Sequence, residues 1–101
     1  MKIRDTKESD LEIVDTLCNY NKLQIKRIVS KGQVTPPGVW LSQRENEWVI
    51  LLRGKASLEF EFGERLLMKS GDYYFIPAGL KHRVTYTSKR PICVWLAVHF
   101  K

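Results

Sequence analysis

Residues 71–82 read Gly-Asp-Tyr-Tyr-Phe-Ile-Pro-Ala-Gly-Leu-Lys-His, and this stretch leaves the chain few ways to fold. Gly71-Asp72 permits a sharp entry, because glycine accepts a positive φ at no steric cost. Tyr73 to Ile76 is an aromatic and β-branched run that suits a short strand. Pro77-Ala78-Gly79 ends that strand, since proline has no N–H for a ladder and Gly79 frees the backbone to reverse. His82 then falls at the start of the next strand. A long helix is excluded here. What remains is a short strand between two reversals, with a histidine presented on rigid backbone, as ligands and catalytic groups usually are.

The rest of the chain repeats the theme. Ala56, Leu58, Phe60 and Phe62 alternate with Ser57, Glu59 and Glu61, the clearest period of two in the sequence. Gly63-Glu64 turns that strand into Arg65–Met68. Leu23, Ile25, Arg27 and Val29 show a looser alternation. Trp40 to Gln43, Trp48 to Leu52, and Ile92–Phe100 are further strand candidates, and Thr35-Pro36-Pro37-Gly38 is a loop. After His82, the alternation places His82, Val84 and Tyr86 on one face and Arg83, Thr85 and Thr87 on the other. One segment reads differently. Ser9-Asp10-Leu11-Glu12 has the form of a capping box, and Leu11, Val14, Leu17 and Cys18 follow at helical spacing. A short helix is therefore expected over 10–18, behind a frayed charged stretch at 1–8, with a break at Asn19-Tyr20-Asn21. Many short strands with turn residues between them indicate an all-β sandwich or barrel.

A chain of 101 residues is expected to form one domain, with a helical lead-in over 1–22 and the barrel over 23–101. Its hydrophobic share of 44% supports a core, although domains of this size leave much surface exposed. Cys18 and Cys93 form no CxxC pattern and no disulfide framework, so they read as small buried hydrophobes. No apolar run reaches transmembrane length and the first residues show no apolar signal region, which makes a soluble, cytoplasmic protein the simplest expectation. The formal charge of +6 comes from the second half, which holds nine basic and four acidic side chains. These are scattered in the manner of solvated strand faces. No continuous basic stripe with stacking aromatics appears, so neither nucleic acid nor membrane is expected as a partner. Lys81 and Arg83 bracket His82 and could draw an anionic small molecule toward it.

The spacing Gly71, Pro77, Gly79, His82 resembles the second sequence motif of the cupin superfamily: glycine, five residues, proline, one residue, glycine, two residues, histidine. The first cupin motif is half kept. Glu47 and Gly54 stand in its glutamate–glycine relation, while its two histidine positions fall on Leu41 and Gln43. Tyr86 replaces the asparagine often found after the second-motif histidine. The resemblance implies an all-β fold, a double-stranded β-helix or jelly-roll barrel of antiparallel strands, carrying the short N-terminal helix outside it.

It also implies a metal site. Carried over by position, Glu47 and His82 are retained ligands and Gln43 could offer an amide oxygen. Together they would suit a divalent Mn, Fe, Zn or Ni ion with waters completing the shell. His99, on the face of the last strand shared with Trp95 and Ala97, is a further pocket candidate, together with Tyr86 and Arg83. A metal-free hydrogen-bonded cluster of Gln43, Glu47 and His82 stands as the alternative. Two function classes follow. One is a metal-assisted enzyme of isomerase or lyase type acting on a small metabolite, an anionic one being the kind that Lys81 and Arg83 would draw in. The other is a binding or sensing module that turns nothing over. No nucleophile motif or Gly-rich phosphate loop supports other chemistry. The apolar last strand, Trp95 and the helix lead to the expectation of a homodimer.

Overall fold

The computed structural model describes residues 12–101 as eight strands. They are β1 (Ile13–Tyr20), β2 (Leu23–Ser30), β3 (Asn46–Arg53), β4 (Lys55–Phe60), β5 (Arg65–Lys69), β6 (Tyr73–Ile76), β7 (His82–Thr87) and β8 (Cys93–Phe100). Every pairing is antiparallel. One sheet has the order β1-β2-β8-β3-β6 and the other β5-β4-β7. The inward side chains of both meet in one core, with Val49, Leu51, Trp95 and Ala97 from the larger sheet facing Ala56, Leu58, Phe60 and Met68 from the smaller. This is the all-β jelly roll expected from the turn chemistry. No helix long and apolar enough to cross a membrane occurs among the described residues.

The expected N-terminal helix is not seen. Most of the segment assigned to it is strand β1, which forms a hairpin with β2. Residues 1–8, expected to be frayed, and Ser9 to Leu11 of the capping box lie outside the described residues. The helical spacing of Leu11, Val14, Leu17 and Cys18 competed with two stronger signals. Ile13, Val14 and Thr16 are β-branched and favour extended backbone. Asn21, at φ of 53°, supplies the left-handed residue that a two-residue hairpin turn needs. Pairing then shifts between Thr16 and Cys18, a bulge that explains why the segment lacks a clean period of two.

Trp40–Gln43 also departs from expectation. Only Leu41 pairs, through a single bridge to His82. The loop before it lies along the free edge of β7. Thr35 N–H donates to the Val84 carbonyl at 2.9 Å, Thr35 Oγ1 accepts from Val84 N–H at 2.9 Å, and Thr87 Oγ1 donates to the Gln33 carbonyl at 2.7 Å. The exposed edge is thereby covered.

The chain passes from the larger to the smaller sheet at Gly54, which has φ of +92°. A Cβ there would sit 2.8 Å from the Ile92 carbonyl oxygen, 2.8 Å from Ser88 Oγ and 2.9 Å from Cys93 Sγ. These atoms are tied down: Lys55 N–H donates to Ser88 Oγ at 3.0 Å, and Cys93 Sγ–H donates to the Lys55 carbonyl at 3.1 Å. Glycine is therefore required twice, for its φ and for its size. Gly54→Ala is expected to lower stability by about 2–4 kcal/mol, the sum of left-handed strain and overpacking. Urea unfolding followed by tryptophan fluorescence measures this, and a loss below about 0.5 kcal/mol would contradict the close-approach argument.

Candidate functional site

At one end of the barrel, three segments bring polar side chains into an apolar surround. Glu47 lies on the inward face of β3, where it pairs with Ile76 of β6 on one side and His99 of β8 on the other. The 77–79 turn is fastened to the start of β3: Ala78 N–H donates to Asn46 Oδ1 at 2.9 Å, and Gly79 N–H donates to the Gln43 carbonyl at 2.9 Å. The turn therefore fixes where β7 begins. His82, the first residue of β7, faces inward opposite Phe60 and is buried. Its backbone exchanges two hydrogen bonds with Leu41, at 3.0 and 2.7 Å.

His82 Nδ1 lies 3.0 Å from the Leu80 carbonyl oxygen. A carbonyl only accepts, so Nδ1 carries a proton and Nε2 is the ring nitrogen turned to the interior. That Nε2 is 4.0 Å from Glu47 Oε1. Glu47 Oε1 also accepts from Gln43 Nε2 at 2.6 Å. The other carboxylate oxygen, Oε2, is 3.5 Å from His99 Nε2. Burial alone would raise the Glu47 carboxyl. Hydrogen bonding and charge from His99, the Gln43 amide and the His82 charge together outweigh it and hold the group below its ordinary value of 4.5. Glu47 is thus a mostly buried carboxylate, its side chain 12% exposed, kept ionised by its neighbours.

Beside this cluster is a cavity of about 110 Å³, walled by Ile28, Val49, Leu58, Ile76 and Trp95, with Glu12, Glu47 and His82 as its charged or titratable lining. Glu12 was not anticipated. Its carboxylate accepts from Ser30 Oγ, and Ser30 Oγ in turn accepts from Trp95 Nε1 at 3.2 Å. A helix-capping assignment hid this residue; alternation along β1 and β2 would have been the signal to find it.

Of the residues singled out in the sequence, Gln43, Glu47, His82 and His99 come together. Tyr86 and Arg83 do not join them. Tyr86 is on the outer surface, 49% exposed. Ser57 pairs with Tyr86 but Leu58 pairs with Val84, so a bulge absorbs Thr85 and inverts the alternation beyond it. Thr87 takes the inward place instead and is buried. Arg83 points outward as the period of two requires. Its guanidinium lies 3.5 Å from Glu59, donates to the Thr35 carbonyl at 3.3 Å, and sits 5.7 Å from the Trp40 ring centre. Lys81 is 3.8 Å from Glu61. Both cations expected to draw an anion are therefore engaged away from the cavity.

The expected metal ligands do not fit a resident ion as they stand. Gln43 turns its amide nitrogen, not its oxygen, to Glu47, and Leu41 has no ligating atom. Among the described residues no group of three or more His, Cys, Asp or Glu is placed to hold a metal. What the arrangement supports is hydrogen bonding and proton transfer by an ionised carboxylate set between two imidazoles.

Comparison with known proteins agrees with this architecture. The family model described as Cupin domain matches residues 27–99. A structure from Ralstonia eutropha, described as a candidate mannose-6-phosphate isomerase, is 38% identical with a TM-score of 0.88, over 92% of this chain and 87% of that one. An RmlC-like cupin from Shewanella frigidimarina is 15% identical with a TM-score of 0.78, over 98% and 82% of the two chains. A cupin superfamily protein from Desulfitobacterium hafniense is 15% identical with a TM-score of 0.74, over 89% and 77%. No protein of curated function matches the sequence.

Because the Glu47 pKa is lowered on folding, its ionised form stabilises the native state above the ordinary value of 4.5. That contribution is lost as pH falls through the lower folded-state value. The urea midpoint is therefore expected to drop as pH falls below 4.5, and Glu47→Gln to flatten that part of the profile. An unchanged slope in the variant would show that Glu47 is not the linked group.

Proposed function

This chain belongs to the cupin family, and from that membership and the polar end of its barrel we propose that it binds a small, uncharged, oxygen-bearing metabolite and can move a proton on it. The observation that carries the reading is the buried Glu47 carboxylate with one imidazole on each side. Glu47 is the hydrogen-bond acceptor and proton acceptor. His82, with its tautomer set by Leu80, presents Nε2 as a second acceptor or relay. His99 and Gln43 hold the carboxylate in place. A ligand hydroxyl satisfies this set by donating to Glu47. A carbon acid beside a carbonyl would give its proton to the same group.

The Ralstonia relative's description supports an isomerase-type reaction, carried here as a proposal. Its phosphate is not carried over. The cavity lining includes the Glu12 and Glu47 carboxylates and, among the described residues, no lysine or arginine. From the described lining an anionic ligand would meet repulsion.

A second reading is favoured by one observation. An imidazole held by an Nδ1–H to carbonyl bond, with Nε2 free, is also how a metal-ligating histidine is oriented. In that reading His82 and Glu47 would hold a divalent ion, with waters completing its shell, and the ion would supply Lewis acidity toward a ligand oxygen. Calorimetric titration of chelator-treated protein with Mn²⁺, Zn²⁺ and Ni²⁺ separates the two readings. The metal-free reading expects no stoichiometric binding by wild type and a gain only when Gln43→His adds an imidazole. One ion bound per chain by wild type, and lost in His82→Ala, would replace it with the metal-centre reading.

A further inference from the structure

The cavity beside Glu47 is small, since ligand pockets usually measure about 300–1,000 Å³. It does not end at its own mouth. Glu12, Leu41 and Val84 line both the cavity and an adjoining groove of about 470 Å³. The remaining walls of that groove are Val34, Pro36 and Val39, with Gln33 and Thr35 between and beside them. Val34, Val39 and Leu41 are each more than two-fifths exposed. Such residues on a frayed loop would mean little, but this loop is held firmly. Thr35 is bonded to Val84 in both directions, Leu41 to His82 in both directions, and Arg83 donates to the Thr35 carbonyl. The polar groups of Thr35 are thus already satisfied, leaving its neighbours' alkyl groups to face the groove. A pre-ordered apolar surface that continues a polar pocket costs little further entropy when it binds.

Resting on the pocket reading above, we infer that the ligand is amphiphilic: an uncharged hydroxyl-bearing head at Glu47 and His82, with an aliphatic or aromatic tail lying over Leu41, Val39 and Val34. Leu41 occupies a position where metal-binding relatives of the motif carry a histidine, and its side chain at the junction of cavity and groove is suited to pack the first tail carbons.

The test is titration of the ¹⁵N-labelled protein with straight-chain alcohols from 1-butanol to 1-octanol, followed at the Trp95 indole N–H and the imidazoles. The dissociation constant is expected to fall about threefold to fourfold per added methylene. Val39→Asp, at an exposed position that folding does not depend on, is expected to flatten the series. Glu47→Gln is expected to weaken all members by a similar factor. Binding at the indole that is lost in Glu47→Gln but independent of chain length would overturn the tail and leave the pocket reading standing. No perturbation by any alcohol would overturn both.

Discussion

A charged carboxylate inside an apolar barrel is costly unless it is paired and hydrogen-bonded, and the arrangement of this protein's polar end follows from that constraint. Glu47 gains its partners from three separate parts of the chain: the loop before β3 gives Gln43, β7 gives His82 and β8 gives His99. Each partner is in turn fixed by backbone. The 77–79 turn is bonded to Gln43 and Asn46, and His82 is bridged to Leu41. Displacing any one of these would leave a buried charge short of its neighbours, so the site and the fold at this end are specified together.

The same logic separates the groups that do chemistry from those that hold structure. Arg83 and Lys81 are next to His82 in sequence, but a strand sends alternate side chains to opposite faces. Their charges meet Glu59 and Glu61 outside the barrel. Among the described residues the cavity lining holds carboxylates and an imidazole and no guanidinium or ammonium. At the other junction, Gly54, Ser88 and Cys93 join the two sheets through contacts that leave no space for a Cβ. That cluster is structural, and it explains why Cys93 is buried beside polar atoms.

Much of the site was legible because it rests on local turn chemistry. The Gly71–His82 stretch specified a strand, a reversal and an inward histidine, and β6 and β7 follow that reading closely. Three features were not legible. The bulge at Thr85 moved Tyr86 outside, since an inserted residue inverts alternation and nothing in Thr85 itself announces it. The segment after Glu12 joined the sheet because β2 offered it a ladder, and pairing across a hairpin outweighs weak helical spacing. The orientation of the Gln43 amide depends on which neighbour reaches it first, a matter of distance in the folded state.

The sequence by itself determined that this chain is all-β, where its principal turns lie, and that Glu47 and His82 belong to one family pattern, because these follow from steric rules acting over a few residues. Only the tertiary structure decided that His99 shares the Glu47 carboxylate, that Glu12 reaches the cavity and that Arg83 does not. These depend on strand register and sheet order, which link residues far apart in sequence and arise only when every buried polar group must find its partner at once.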